Sequence, residues 1–255
     1  MTGKADPVGP FRFLEFDSQL FRIRVATLPR GPIDAAGLDR ALDWCAEQRI
    51  DCLYFLVEGD DAATLRLARE RGFQFVDVRM TLERELAPAI AAPAAAAPGI
   101  VRLAEERDIP LLRDLAARSH VQSRFFVDER FDRRACAELY ATWIEKSCRG
   151  YADAVWVVEL EGRPDGYLTC HLRAGGLGEI GLVGVAERAQ GRGFGRALVA
   201  RGLDWLRGEE CARASVVTQG ANVPAQRLYQ AAGFHTASVQ VWHHLWFRSG
   251  SERRS

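Results

Sequence analysis

The sequence predicts a mixed α/β (α+β) chain in two domains, a small α/β domain followed by a larger one with a mixed central sheet flanked by helices. Three observations predict this. From residue 100 onward the segments read in the order β-α-α-β-β-β-α-β-α-β. Three of those strands follow one another directly before a glycine-rich turn, whereas a doubly wound parallel sheet would alternate strand and helix throughout. The stretch "ELAPAIAAPAAAAPGI" (Glu85–Ile100) divides the chain. Its prolines Pro88, Pro93 and Pro98 forbid one continuous helix, and its small side chains supply little core area. The expected organisation is a domain over 11–86, a linker over 87–99 and a domain over 100–248.

In the first domain, "DAAGLDRALDWCAEQR" sets Leu38, Leu42, Cys45 and Ala46 on one helical stripe. "CLYFLV" follows as a buried strand. Asp60 or Asp61 can cap the helix "AATLRLARERGF", which stops at Gly72. "FQFVDVRMTLERE" alternates as a strand does. No cluster of His, Cys or acidic residues lies in this half, so chemistry is expected in the second domain.

There, "VRLA" reads as a short strand, and "EERDIPLLRDLAARSH" and "RRACAELYATWIEKSC" read as helices. "AVWVVELEGRPDGYLTCHLR" reads as a hairpin turning at Gly162-Arg163-Pro164-Asp165-Gly166. "LGEIGLVGVAE" is the next strand. After the glycine-rich turn comes a helix from about Gly193 to Leu206, then the strand "ASVVTQ", the short helix "VPAQRLYQAAGF" and a long last strand, "TASVQVWHHLWFR". Alternation turns one of His243 and His244 inward, as a packed core histidine. The last strand is long, apolar and near an edge, which suits strand exchange or a homodimer.

Composition excludes several classes. Apolar residues make up 48% and charged residues 27%, an ordinary globular balance. The formal net charge is zero, so there is no broad basic field and no nucleic-acid partner is expected; any anion site must be local. No apolar run approaches the roughly 18 residues of a membrane span. The opening "MTGKADPVGPFRFLEF" has no apolar signal core, so a cytoplasmic location is expected. The six cysteines are scattered with no C-x-x-C, which suits free thiols and no metal site.

The chemistry is concentrated in "GVAERAQGRGFGRALVARGLDWL" (Gly184–Leu206). A strand, a glycine-rich turn and a helix start form an anion site, because free N–H groups point outward and the helix dipole favours negative charge. Glycine permits positive φ and close backbone approach. Arg192 and Arg196 can add charge-assisted hydrogen bonds. No Lys follows the glycines, so this is not a Walker loop, and Arg196 stands where a dinucleotide fingerprint needs its third glycine. The spacing that fits is Q-x-x-G-x-G, through Gln190, Gly193 and Gly195.

This loop resembles the acyl-CoA pyrophosphate loop of the GNAT acetyltransferases. "TQGANVPAQRLYQAAGF" extends the resemblance, with Asn222 opening the next helix and Tyr229 two turns along it. "SHVQSRFFVDERFDRRACAELYATWIEKSCRG", "IGLVGVAERAQGRGFGRALVARGLDWL", "ASVVTQGANVPAQRLYQAAGF" and "VWHHLWFR" are similar to the dTDP-fucosamine (dTDP-4-amino-4,6-dideoxygalactose) acetyltransferase branch. "LEFDSQLFRIRVATL" shares its N-terminal flavour, although Arg22 stands where glycine is common. The resemblance implies a GNAT fold with a largely antiparallel sheet and transfer of an acetyl group from acetyl-CoA to a primary amine. It implies that Gln190, Gly191, Arg192, Gly193, Phe194, Gly195 and Arg196 hold the pyrophosphate, with Asn222 beside the cofactor. Leu182, Val183 and Val185 would pair with the pantetheine amides as if with a strand. Gly184 would allow a bulge that splays the neighbouring strand, and the Val185 N–H would serve as a single oxyanion donor. Tyr229 would be the general acid for the departing thiolate.

Two roles rest on the residues alone. Glu179, on the same strand, is a candidate base, with His171 as its rival and an exposed strand glutamate as the plain alternative. In "QSRFF", Arg124 could pair with a diphosphate and Phe125 or Phe126 could stack on a base or sugar, or the segment could be an interhelical packing loop. The resemblance implies a nucleotide-linked amino sugar as acceptor, through the 4-amino group of a dTDP-linked amino-deoxy sugar. The alternatives are another small amine, a protein N-terminus, or a non-catalytic acyl-CoA sensor.

Overall fold

A computed structural model describes residues 11–86 and 100–247; the expected linker over 87–99 lies outside the described residues. The chain forms two compact units. One holds described residues 11–79 and 238–247, the other 80–86 and 100–237. The last strand therefore packs mostly with the first unit.

In the first unit, β1 (Arg12–Phe13), α1 (Glu15–Phe21) and β2 (Val25–Thr27) precede α2 (Ala35–Glu47). The Asp34 carboxylate accepts the Gly37 amide at 2.7 Å and caps α2, which buries Leu38, Ala41 and Cys45. β3 (Cys52–Glu58) is buried along almost its whole length. α3 (Ala62–Glu70) is capped by Asp61 and stopped by Gly72 at φ 81°. β4 (Gln74–Glu85) and β10 (His235–Trp246) contribute residues to both units. β2 runs parallel to β3, and β10 pairs antiparallel with β3 from Gln240 to Trp246.

Contrary to the sequence expectation, β10 is not an edge strand: β3 flanks it on one side and β4 on the other. Both histidines are buried, His243 at 7% and His244 at 0% exposure, because both faces of this strand are covered. His244 packs on Tyr54 and His243 on Phe75.

In the second unit the sheet order is β4-β9-β8-β7-β6-β5. The strands are β5 (Ile100–Leu103), β6 (Ala154–Leu160), β7 (Arg163–Arg173), β8 (Leu177–Val185) and β9 (Arg213–Gln219). The helices are α4 (Ile109–Ser119), α5 (Arg124–Val127), α6 (Arg133–Lys146), α7 (Phe194–Gly208) and α8 (Val223–Ala231). β5 to β8 are antiparallel, and β8 to β9 is parallel, so the sheet is mixed as expected. α7 buries Leu198, Val199, Leu203 and Leu206 on the same core as Leu168, Ile180 and Val216.

The hairpin turn differs from the expected one. It is Glu161-Gly162, with φ 54° and 75°, while Arg163 to Gly166 already belong to β7. Two successive positive φ values match the twist of paired strands, and Pro164 sits at a register shift that needs no donated hydrogen bond.

The two units also share a repeat, which becomes visible once their elements are superposed in order. Arg40-Ala41-Leu42-Asp43-Trp44 aligns with Arg201-Gly202-Leu203-Asp204-Trp205. With no gap, Gly59 then falls on Gly220, Asp61 on Asn222, Arg66-Leu67 on Arg227-Leu228, and Gly72-Phe73 on Gly233-Phe234. Each copy runs helix, strand, helix, strand, behind a first strand parallel to the second. Asp61 and Asn222 cap equivalent helices through the amide three residues on. Ala68, fully buried, stands in the first copy where Tyr229 stands in the second.

Candidate active site

The site starts with an interrupted ladder. Leu168 pairs with Val183 and Cys170 with Ile180, so Gly181 and Leu182 together face Thr169. This bulge lies at Gly181–Leu182 rather than at Gly184, as the sequence suggested. Glycine is required at this point: a Cβ on Gly181 would lie 2.7 Å from Thr169 Oγ1 and 2.8 Å from His171 Nε2. The Leu182 N–H donates to Thr169 Oγ1 at 2.8 Å, so this amide is not available to a ligand. The parallel register with β9 runs to Ile180↔Val216, and beyond it β8 and β9 separate.

The gap becomes a cavity of about 1150 Å³, lined by Gly181–Gln190 on one side and Val217–Gln219 on the other. Ala186 donates its N–H to Asp165 O at 2.7 Å. Alternation along an antiparallel strand then turns the Val183 and Val185 amides to the opposite side, toward the gap that β9 has left. Gly184 is required by close approach: a Cβ there would lie 2.7 Å from the Tyr167 ring.

The glycine loop closes one end of the cavity. Gly191 and Gly193 hold φ values of 74° and 87°, which favour glycine, and Gly193 is the N-cap of α7. Among the described residues, the amides of Gly191 to Arg196 meet no protein acceptor, and Ala197 is the first to bond back, to Gly193 O. Such a row of unpaired donors at a helix start suits a pyrophosphate. Gly195 lets α7 approach α8, since a Cβ there would meet Leu228 at 3.2 Å. Gln190, Gly191, Gly193, Phe194, Gly195 and Arg196 line the cavity. Arg192 lies instead over the Phe194 ring, 5.4 Å from its centroid.

The loop is tethered by residues the sequence reading passed over. Asp165, 1% exposed, accepts from Arg188 Nε at 2.9 Å and Nη2 at 2.6 Å. Gln190 Nε2 donates to Val185 O at 3.1 Å. The R-P-D-G run carried the signal for Asp165, but it reads as a turn.

Asn222 caps α8 through Ala225 N at 3.2 Å and also lines the cavity. Gln226 Nε2 pins the preceding turn by donating to Gln219 O and Gly220 O. Two turns on, Tyr229 is 4% exposed, packs edge-on to Phe234 and reaches the cavity wall. Burial pushes its hydroxyl well above the usual phenol range, so it is protonated at neutral pH.

The other candidates, Glu179, His171, Arg124, Phe125 and Phe126, lie outside the cavity lining. Glu179 is ion-paired with Arg173 at 2.9 Å and is not part of the cavity lining. His171 is buried beneath Gly181, also outside the lining. Phe125 and Phe126 are buried, Phe125 edge-on to Phe131 and Trp143 and Phe126 stacked on Tyr140. The Arg124 guanidinium lies 4.0 Å over the Phe125 ring. The cavity lining from the helices α4 and α6 and the segment between them includes instead Leu111, Leu115, His120, Tyr140 and Trp143. No helix among the described residues is long and apolar enough to cross a membrane.

The Acetyltransferase (GNAT) family matches residues 114–234, a range that contains the broken ladder, the glycine loop, Asn222 and Tyr229. Mycothiol acetyltransferases of Beutenbergia cavernae and Thermomonospora curvata are 33% and 30% identical to the chain, over 74% and 72% of it and 65% and 68% of their own lengths. A dTDP-fucosamine acetyltransferase of Escherichia coli is 31% identical over 55% of the chain and 60% of its own length. The chain thus aligns with about two thirds of these relatives. A GCN5-related N-acetyltransferase from Sphaerobacter thermophilus shares the fold, with a TM-score of 0.67 at 18% identity over 94% of this chain and 77% of that one. Splayed strands, glycine loop and sequence agree, and the chain belongs to the GNAT acetyltransferase family.

Proposed function

We propose that this chain transfers an acetyl group from acetyl-CoA to the primary amine of a nucleotide-linked amino sugar, with a dTDP-4-amino-4,6-dideoxyhexose as the leading acceptor. The observation that carries the reading is Tyr229, a buried and protonated phenol that shares one cavity with the glycine loop and the splayed β8. In this reading the pyrophosphate lies on the unpaired amides of Gly191–Arg196. The pantetheine arm runs along Val183 and Val185, and the Val185 N–H meets the carbonyl oxygen as negative charge builds there. The amine adds to the thioester carbon, the C–S bond breaks, and the thiolate takes its proton from Tyr229. The E. coli relative supports the amino-sugar acceptor.

A second acceptor class has its own support. The mycothiol acetyltransferases align with more of this chain than the dTDP-fucosamine enzyme does. A thiol-release assay with acetyl-CoA separates the readings. It compares dTDP-, UDP- and GDP-linked amino sugars, the amine substrate of the mycothiol enzymes, and simple amines. Turnover confined to the dTDP-4-amino sugars supports the leading acceptor, and turnover confined to any other member overturns it. Tight acetyl-CoA binding with no turnover on any amine would make the protein a sensor.

A further inference from the structure

His120 closes α4 and faces the cavity across from the glycine loop. Its ring stacks on Tyr140, with centroids 4.3 Å apart and planes 16° apart. Its Nε2 lies 2.8 Å from the Tyr167 hydroxyl. Tyr167 is fully buried, and its ring rests against Gly184, within the stretch of β8 that borders the gap. The imidazole is therefore locked in place on two sides, next to the strand where the thioester arm would run.

We propose that His120 is the group that takes the proton of the attacking amine. This assignment rests on the acetyl-transfer reading above. The other titratable groups on the cavity wall are engaged or of the wrong kind. Asp165 is tied to Arg188, and Glu187 sits exposed on the turn that leads into the glycine loop. Arg118, Arg163 and Arg196 are cations, Tyr140 is a phenol stacked on His120 itself, and burial keeps the Tyr229 phenol protonated. Burial also holds the His120 imidazole far below its ordinary range, so it is neutral at pH 7 and has a lone pair to offer. With Nε2 engaged by Tyr167, Nδ1 is the nitrogen left for the amine, which requires the tautomer in which Nε2–H donates to the Tyr167 oxygen. The step balances: the C–N bond forms as the amine proton passes to Nδ1, and the C–S bond breaks as the Tyr229 proton passes to sulfur. Solvent then takes the proton from His120 and returns one to Tyr229.

The test compares wild type, His120→Ala, His120→Gln and Tyr167→Phe in thiol release, using acetyl-CoA with dTDP-4-amino-4,6-dideoxygalactose and the amine panel. Calorimetry measures acetyl-CoA binding, and side-chain 15N NMR at pH 7 reads the His120 tautomer in the wild type. We expect kcat to fall about 100-fold in His120→Ala with acetyl-CoA binding within about twofold, and added imidazole to restore part of the rate. Tyr167→Phe, which keeps the ring against Gly184, should lower kcat about tenfold and shift the tautomer signal, a change that mere packing would not produce. A His120→Ala variant within about threefold of wild type, or a protonated Nδ1 in the wild type, overturns the assignment alone. A wild type that binds acetyl-CoA and acetylates no amine overturns the acetyl-transfer reading, and the assignment with it.

Discussion

The buried carboxylate of Asp165 accepts hydrogen bonds from the Arg188 guanidinium at 2.6 Å and 2.9 Å, joining the start of β7 to the turn that leads into the glycine loop. The backbone repeats the link through Ala186 N and Asp165 O. Arg188→Ala leaves Asp165 buried without its cation. Half of the arginine is exposed to solvent, which moderates the loss, and we expect about 1–3 kcal/mol in urea denaturation. Acetyl-CoA affinity should fall with it, because the loop loses its tether. Unchanged stability and affinity would show that the ion pair holds nothing in place.

Tyr229→Phe removes only the hydroxyl of a buried ring. We expect kcat to fall by about 100-fold or more while acetyl-CoA binding stays near wild type. Near-normal kcat in steady-state assays would remove Tyr229 as the general acid.

Gly184→Ala sets a methyl group 2.7 Å from the Tyr167 ring. Neither the strand nor the buried ring has room to move, so a cost of about 1–3 kcal/mol and a loss of activity are expected. Tyr167→Leu in the same chain should recover part of the stability, as double-mutant denaturation curves can show.

Stability should fall as pH drops below neutral. Burial lowers the pKa of His120 to about 4, against 6.5 for an ordinary histidine, and lowers those of His171 and His243 in the same direction. Between those values the unfolded chain binds a proton at His120 that the folded chain refuses. The stabilisation is fully present above about pH 6.5 and is lost as pH falls toward 4, at most about 3 kcal/mol for His120. Urea midpoints from pH 7 to 4.5 should fall, and less steeply in His120→Gln.

The repeat adds a prediction on stoichiometry. The first unit keeps the capping, glycine and apolar positions of the second but has Ala68 for Tyr229 and "PRGPID" for the glycine loop. Calorimetric titration should give one acetyl-CoA per chain, and two would assign the first unit a site of its own.

Much of this was legible in the sequence, and the misses have physical reasons. Gln190, Gly193, Gly195, Asn222 and Tyr229 all line one cavity, and the sequence could single them out through glycine spacing and the GNAT resemblance because each lies within a short local motif. The same holds for the capping role of Asn222, which needs only the next helical turn. Glu179 was proposed from its strand, but strand position alone does not say which partner its carboxylate meets, and Arg173 reaches it first. Nothing local shows that Phe131 and Trp143 pack on Phe125 or that Arg124 lies over its ring, so the sequence leaves both residues open to a recognition role.

The sequence by itself determined the element order of the second unit, the mixed sheet and the glycine-rich turn at the start of α7, because each follows from periodicity, caps or glycine spacing within one segment. Only the tertiary structure decided where the ladder breaks, opposite Thr169 on the neighbouring strand, since register between strands is a pairing of distant segments. It also decided that β10 is an interior strand, and that His120 meets Tyr167 across 47 residues of sequence. Contacts of that separation follow from how strands and helices pack, and packing is not written in any one segment's pattern.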